Sequence, residues 1–199
     1  KNRVVHDLIE PGSTIKPLIV YAGLENKIIE KSSIIDTSPG VIKIEGQEIK
    51  DWKYLGQVTP RDVIKLSSNI GAAKISRKLS KKELINFLDT IGFGQSLFLN
   101  LPGSKNGFLP TVSELSDAEH FTLGYGYGLS SSLMHLISAY LTLANNGNRT
   151  QLKYLQSKEG YNYEKILNEK NTSIVLDMMK DVVHSDNGTG KKAKVDGYT

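Results

Sequence analysis

Two side chains three residues apart, Ser13 and Lys16, are the first place where this sequence could carry covalent chemistry. They lie in the run Glu10-Pro11-Gly12-Ser13-Thr14-Ile15-Lys16-Pro17, where Pro11 and Gly12 are turn formers and Ile15, Leu18, Ile19 and Ala22 recur at helical spacing. The chain is expected to leave a turn as a buried helix with Ser13 in its first turn. Residues i and i+3 share a helix face, with Cβ atoms about 5–6 Å apart, so the Lys16 amine reaches the Ser13 oxygen. A serine hydroxyl is a poor nucleophile until a base takes its proton, and lysine serves as that base only where desolvation lowers its pKa toward neutrality. The pair therefore requires a buried site. Alone, Ser-x-x-Lys has little specificity, because any helix can carry it as a surface cap beside a solvated lysine.

The elements that would position the pair follow from local signals. Residues 28 to 50 contain short alternating pieces, and Val41 to Ile49 reads as a hairpin or paired short strands with Glu45-Gly46-Gln47 near the turn. Trp52, the only tryptophan, reads as a packing residue. At Thr59-Pro60-Arg61-Asp62 a helix starts: Thr59 caps, Pro60 suits the first helical position, and Asp62 favours the positive end. That short helix delivers Ser67-Ser68-Asn69, after which Ile70, Ala73 and the stem of Lys74 resume helical spacing. Polar residues wedged between two apolar helical runs belong near the core, where each must find a partner.

Ser80-Lys81-Lys82-Glu83 matches a capping box for a helix through Leu84, Phe87, Leu88 and Ile91 that Gly92 terminates. A loop over Leu101 to Pro110 and a short helix through Ser113 to Phe121 follow. In Gly124-Tyr125-Gly126-Tyr127-Gly128-Leu129 the alternate glycines permit close backbone approach and positive φ. A phosphate loop is not supported, for want of a preceding strand and a Lys-Ser/Thr ending. Leu133, Leu136, Ile137, Tyr140, Leu141 and Ala144 predict a long amphipathic helix ending at Asn146-Gly147. Residues 149 to 168 predict a strand or two. Asn171 or Thr172 caps a further helix whose inner face holds Ile174, Val175, Met178, Met179, Val182 and Val183, with a mobile loop over Ser185 to Lys192 beyond it.

Composition narrows the classes. A chain of 199 residues holds one domain with a sizeable core. The net charge of +4 comes without lysine or arginine clusters interleaved with aromatics, which argues against nucleic-acid binding and fits equally a basic face near an anionic envelope. Absence of cysteine excludes disulfides, thiol catalysis and Cys-based metal sites. His6, His120, His135 and His184 show no paired ligand spacing, so no metal is expected. No run of 18 apolar residues occurs, and Lys1 begins nothing like a signal peptide. The segment Lys1 to Ile9 reads as ordered chain interior and Lys194 to Thr199 stops as a strand begins, so a piece of a longer protein is expected.

Four further runs accompany the serine motif: Asn2-Arg3-x-Val5-x-Asp7 ahead of Glu10-Pro11-Gly12-Ser13, Glu48-Ile49-Lys50-Asp51, Lys65-x-Ser67-Ser68-Asn69-Ile70-Gly71, and Gly126-Tyr127-Gly128-Leu129. Together they resemble the class B penicillin-binding proteins, the serine enzymes that cross-link bacterial peptidoglycan. Their order matches the septal, division-specific (penicillin-binding protein 3 type) branch better than the elongation branch, and the similarity covers nearly the whole chain. The resemblance implies an α+β penicillin-binding protein/β-lactamase-like transpeptidase fold, of which residues 1–199 hold mainly the helical lobe with few strands. It also implies that Ser13 is the acylated nucleophile and Lys16 its general base. Ser67 would relay a proton to the leaving group, Asn69 would bind the substrate's peptide carbonyl, and Gly126 and Tyr127 would contribute to substrate binding.

The implied reaction attacks a D-alanyl-D-alanine stem peptide, expels the terminal D-alanine and passes the acyl group to an amine on a neighbouring stem; β-lactams would acylate the same serine. No cofactor is implied. Relatives are anchored in the inner membrane by a segment upstream of the position of Lys1 and work in the periplasm with other division proteins. Two features depart from the family. Its third motif, Lys-Thr/Ser-Gly, lies beyond the equivalent of Gly197-Tyr198 and is absent from the 199 residues. That strand supplies one backbone donor of the oxyanion hole and a cation for the substrate carboxylate. Because one such donor is worth about 10² to 10³ in rate, this partial domain is expected to have little or no activity by itself. Leu133 stands where relatives often place a proline after threonine, though Ser132 can still cap.

Two rival readings share the serine chemistry. A β-lactamase or D,D-carboxypeptidase would send the acyl group to water, and a β-lactam sensor or scaffold would hold it without turnover. Ser185-Asp186-Asn187 and Glu164-Lys165-Ile166-Leu167-Asn168 copy class A β-lactamase motifs, but in the wrong order and too far from Ser13. They read as coincidence.

Overall fold

Between Pro17 and Leu24 the sequence places no charged side chain on any side of a helix, and a helix apolar all round must be surrounded by protein. The computed structural model describes residues 2–97, 101–153 and 162–198, and in it the chain wraps this segment. In order, the described elements are α1 (Arg3–His6), a 3₁₀ turn (Gly12–Ile15), α2 (Lys16–Glu25), β1 (Ile35–Asp36), β2 (Val41–Ile44), β3 (Gln47–Lys50) and β4 (Gln57–Val58). There follow α3 (Pro60–Lys65), α4 (Asn69–Lys78), α5 (Lys81–Thr90), α6 (Asp117–Leu123), α7 (Leu133–Ala144), β5 (Asn148–Thr150), β6 (Tyr163–Lys165), α8 (Glu169–His184) and a 3₁₀ turn (Lys191–Ala193). The architecture is helix-rich α+β, as expected.

Every residue of α2 from Lys16 to Leu24 is buried, with α3, α4 and α8 packed directly on it. Tyr21 ties it to α8: its hydroxyl accepts from Asn168 N at 2.7 Å and lies 3.1 Å from Glu25 Oε2. Leu84 and Leu88 of α5 and Val175 and Met178 of α8 complete the same core. Leu84→Ala, remote from the serine, is expected to lower unfolding free energy by about 2–5 kcal/mol in urea titrations.

The strands form three antiparallel pairs, β1 with β4, β2 with β3 and β5 with β6. The β2–β3 hairpin has the expected turn. Glu45 at φ 48° and Gly46 at φ 81° occupy its two central positions, with Ile44 opposite Gln47. The capping box at Ser80 forms as read, and the expected cap at Thr59 is itself a capping box, closed by Asp62. Of the strands expected over residues 149–168, β5 and β6 are present; residues 154–161 lie outside the described residues.

Several local expectations are corrected. Helix α6 starts at Asp117 rather than near Ser113, because Ser116 and Glu119 form the capping box while Glu114 caps the turn at Thr111. Helix α8 starts at Glu169, where Asn168 accepts from Lys170 N and Asn171 N, ahead of the expected caps. Helix α7 turns its apolar stripe inward only in part: Leu136 and Tyr140 pack half-buried against the core, but the fully buried face is a different one. His135, Ser138, Ala139, Thr142 and Leu143 are inside, whereas Leu133, Ile137 and Leu141 are 46%, 43% and 48% exposed. The polar residues are tolerated inside because they are partnered. His135 Nδ1 accepts from Ser132 N at 3.2 Å, so Nε2 carries the proton and donates to Gln95 O at 2.9 Å; Thr142 Oγ1 donates to Ser138 O at 2.9 Å.

Trp52 is not a core residue: it is 64% exposed, with its ring nitrogen donating to Leu66 O at 3.0 Å. The segment after α8, expected to be a mobile loop, is tied down by Thr189 N on Lys65 O (3.2 Å) and Gly190 N on Val182 O (2.8 Å). Residues 195–198 form a turn, Tyr198 N donating to Val195 O, rather than the beginning of a strand. Among the described residues no helix is long and apolar enough to cross a membrane.

Candidate active site

Ser13 sits in one turn of 3₁₀ helix, not in the first α-turn, and this improves its alignment with Lys16, since side chains at i and i+3 eclipse in a 3₁₀ helix. Gly12 opens the turn at φ 56°, a left-handed conformation that glycine adopts without strain. The Ser13 side chain is exposed while Lys16 beneath it is buried, at 1% exposure. Lys16 Nζ lies 3.0 Å from Ser13 Oγ.

The second part of the site comes from the junction of α3 and α4. Leu66 closes α3, and Ser67 follows at φ 56°, a strained conformation for a residue with a Cβ. That twist turns both of its oxygens onto Lys16: the carbonyl lies 2.6 Å and Oγ 3.0 Å from Nζ. Ser68 turns inward and caps α4 through Gly71 N. Asn69, the first residue of α4, places Oδ1 at 2.7 Å from the same amine and donates Nδ2 to Lys50 O at 3.0 Å.

Four oxygens thus converge on one amine, and their chemistry limits its protons. The Ser67 carbonyl and Asn69 Oδ1 only accept, so they take two N–H bonds. The two serine hydroxyls share what is left. When Lys16 is neutral its lone pair faces them and accepts an O–H, which is the geometry of a general base. Burial pushes the Lys16 pKa down from 10.5 to about 8, opposed by the charge of Asp51. The amine is therefore poised to lose its proton near neutrality.

The serine turn is clasped from the far side by the glycine-rich turn and α7. Gly12 N donates to Gly126 O at 3.0 Å, Gly128 N donates to Glu10 Oε1 at 3.1 Å, and Ile9 and Ser131 form an antiparallel bridge. Tyr140 of α7 donates its hydroxyl to Thr14 O at 2.7 Å. Sequence reasoning grouped Gly126 and Tyr127 with substrate binding. In the structure Gly126 meets Gly12 backbone to backbone, and Tyr127 stands 48% exposed with its ring 5.5 Å from that of Tyr125; neither reaches the Lys16 amine.

Asp51, to which the sequence assigned no role, lies beneath α4 and accepts from Ser68 Oγ, Asn69 N and Ile70 N. A buried acid between a strand and a Ser-Ser-Asn run was the available signal. The two β-lactamase-like runs stand elsewhere: Glu164 pairs with Arg149 in the β5–β6 hairpin, Asn168 caps α8, and residues 185–187 follow α8. No cluster of three or more His, Asp or Glu side chains able to hold a metal occurs among the described residues.

A serine on a helix-opening turn, a buried lysine three residues on, and a Ser-x-Asn segment closing over the amine define a class of acyl-serine protein. The chain belongs to the penicillin-binding protein transpeptidase domain family, which it matches over residues 1–199. It is 34% identical, over its whole length, to peptidoglycan D,D-transpeptidase FtsI of Buchnera aphidicola subsp. Schizaphis graminum, and 31% identical to the protein of that name in Escherichia coli K12. It covers 34% and 33% of those two proteins, so the chain spans about a third of the length of these curated relatives. Among solved structures it superposes with a TM-score of 0.95 on the transpeptidase domain of Burkholderia pseudomallei penicillin-binding protein 3, at 32% identity, covering all of this chain and 60% of that one. A structure described as a peptidoglycan glycosyltransferase from Burkholderia ambifaria matches equally, at TM-score 0.95 and 32% identity, with 63% of that chain covered.

Proposed function

We propose that this chain is the serine-bearing part of the transpeptidase domain of a peptidoglycan D,D-transpeptidase that cross-links stem peptides during septum formation. The carrying observation is that Lys16 Nζ, buried, lies 3.0 Å from the exposed Ser13 Oγ, with Ser67 and Asn69 on the same amine. Ser13 Oγ attacks the carbonyl carbon of the penultimate D-alanine while its proton passes to neutral Lys16. Charge developing on the carbonyl oxygen is favoured by the Ser13 backbone N–H, which lies at the opening of the turn where amides lack helical partners. Collapse breaks the peptide bond, and the proton held on Lys16 travels through the Ser67 hydroxyl to the departing D-alanine amine. An amine of a neighbouring stem then attacks the acyl-serine, losing its proton by the reverse path and restoring Ser13. The second N–H of Asn69 Nδ2 is directed to the stem peptide's carbonyl.

β-Lactams enter as acyl donors whose leaving group stays tethered. The names of the aligned relatives support the peptidoglycan substrate. The resemblance supports the longer setting: an inner-membrane anchor ahead of this segment, a periplasmic catalytic domain, division proteins as partners, and a Lys-Thr/Ser-Gly strand completing the oxyanion hole.

The test uses the full-length protein with a fluorescent penicillin and a stem-peptide donor, with and without an acceptor amine. Covalent labelling is expected, Ser13→Ala is expected to abolish it, and product is expected only as the acceptor adduct. Hydrolysed product alone would assign a carboxypeptidase or β-lactamase, and an adduct that never turns over would assign a sensor.

A further inference from the structure

The Ser67–Asn69 segment is strained, yet it must hold still to present two oxygens to Lys16. What holds it lies on the other side of the backbone. Asp51 follows β3, and its side chain is buried against the start of α4. Its Oδ1 accepts from Asn69 N at 2.6 Å and Ile70 N at 3.1 Å, and its Oδ2 accepts from Ser68 Oγ at 2.8 Å. These are among the free amides of a helix N-terminus, where a carboxylate is favoured by both hydrogen bonding and the helix dipole. The preceding residue, Lys50, holds the Asn69 amide through its carbonyl. Residues 50 and 51 therefore fix both the backbone and the side chain of Asn69.

We propose that Asp51 is a positioning residue of the acylation site: it pins the strained Ser67–Asn69 segment against Lys16, and its carboxylate charge bears on the amine that segment encloses. The inference rests on the acyl-transfer reading above. Lys78 of α4 and Lys170, Lys180 and His184 of α8 are exposed, and the other charges on the elements packed against α2 are engaged elsewhere. Lys65 pairs with Asp62 within α3, and Arg61 of α3 pairs with Asp177 and Asp181 of α8. On α4, Lys74 donates to Asp36 O and Arg77 faces Asp117. Asp51 is the charge that acts on Lys16, and it favours the protonated form.

The consequence runs against intuition. Removing this carboxylate's charge makes Lys16 easier to deprotonate, so the acid limb of acylation should move to lower pH. Asparagine at 51 keeps an oxygen for the two backbone amides and loses the charge, whereas alanine loses both.

The experiment measures second-order acylation by a fluorescent penicillin between pH 6 and 10 in the full-length protein. For Asp51→Asn the acid limb is expected about half a pH unit or more below wild type, with the plateau rate within about tenfold. For Asp51→Ala the plateau is expected to fall by about tenfold or more, since Asn69 and Ser67 lose their anchor. An acid limb for Asp51→Asn that coincides with wild type overturns the proposal, and so does an Asp51→Ala protein that merely melts earlier while acylating with wild-type rate and profile. Should Asp51→Ala fail to fold, the limb of Asp51→Asn decides. A wild-type protein that never labels refutes the acyl-transfer reading itself and this inference with it, whereas labelling with an unmoved limb removes Asp51 alone.

Discussion

Replacing Lys16 by alanine is expected to slow acylation of the full-length protein by a fluorescent penicillin by roughly 10² to 10⁴-fold, the usual contribution of a positioned general base. The side chain removed is the meeting point of Ser13 Oγ, both oxygens of Ser67 and Asn69 Oδ1. Lys16→Arg separates the base from the charge, because guanidinium keeps its donors and does not deprotonate in this range. It should be nearly as slow as alanine; an arginine variant labelling at the wild-type rate would show that Lys16 acts only as a donor.

The pH dependence has a definite sign. Wild-type acylation should rise with pH through about 8, where burial places the Lys16 pKa, because the protonated amine is no base. The same depression acts on folding. The folded pKa lies below the unfolded value, so between about 8 and 10.5 the unfolded chain binds more protons and stability increases with pH. Urea unfolding at pH 7.5 and 9.5 should reveal this gain in wild type and its loss in Lys16→Ala.

Gly126→Ala is expected to be the most damaging single methyl addition at the site. A Cβ there would stand 2.1 Å from Gly12 O and 2.5 Å from Gly12 N, backbone atoms with no rotamer to change, and the residue has φ 91°. The two turns must separate, taking the Gly12–Gly126 hydrogen bond with them. A loss of about 3 kcal/mol or more is expected, above the roughly 1–2 kcal/mol for left-handed backbone alone, together with slower acylation as Ser13 shifts from Lys16. Gly12→Ala is the control: it also has positive φ, but nothing lies within 4 Å of its added Cβ, so only the conformational cost applies. Equal losses in the two variants would mean that the glycine-rich turn does not position the serine.

Local signals carried further on the fold than on its packing. The cap at Thr59, the capping box at Ser80 and the Glu45-Gly46 turn depend on residues within three or four positions of one another, and each formed as read. Helix α7 followed its apolar stripe only at Leu136 and Tyr140, because burial is decided by neighbours. His135 found Ser132 and Gln95, Thr142 found the Ser138 carbonyl, and Leu133, Ile137 and Leu141 were left outside. Trp52 went to the surface for the same kind of reason, since its ring nitrogen is satisfied by a carbonyl at the end of α3.

At the site the division is similar. Ser13 and Lys16 were legible together because a helical turn places i and i+3 on one face whatever surrounds them. Ser67 and Asn69 were legible as polar residues between apolar runs. The family resemblance brought them to the site of Ser13 and Lys16, but nothing in their own spacing placed them on the Lys16 amine, 51 and 53 residues away in sequence, or the carboxylate of Asp51 beneath them. Chain order alone determined the motifs, the caps and the all-round apolar helix that had to be buried. Only the tertiary structure decided that α4 and the residues before it close over that helix's first residue, stripping water from one amine and surrounding it with four oxygens. Spacing along a chain sets which groups share a turn, whereas desolvation is a property of everything packed around them.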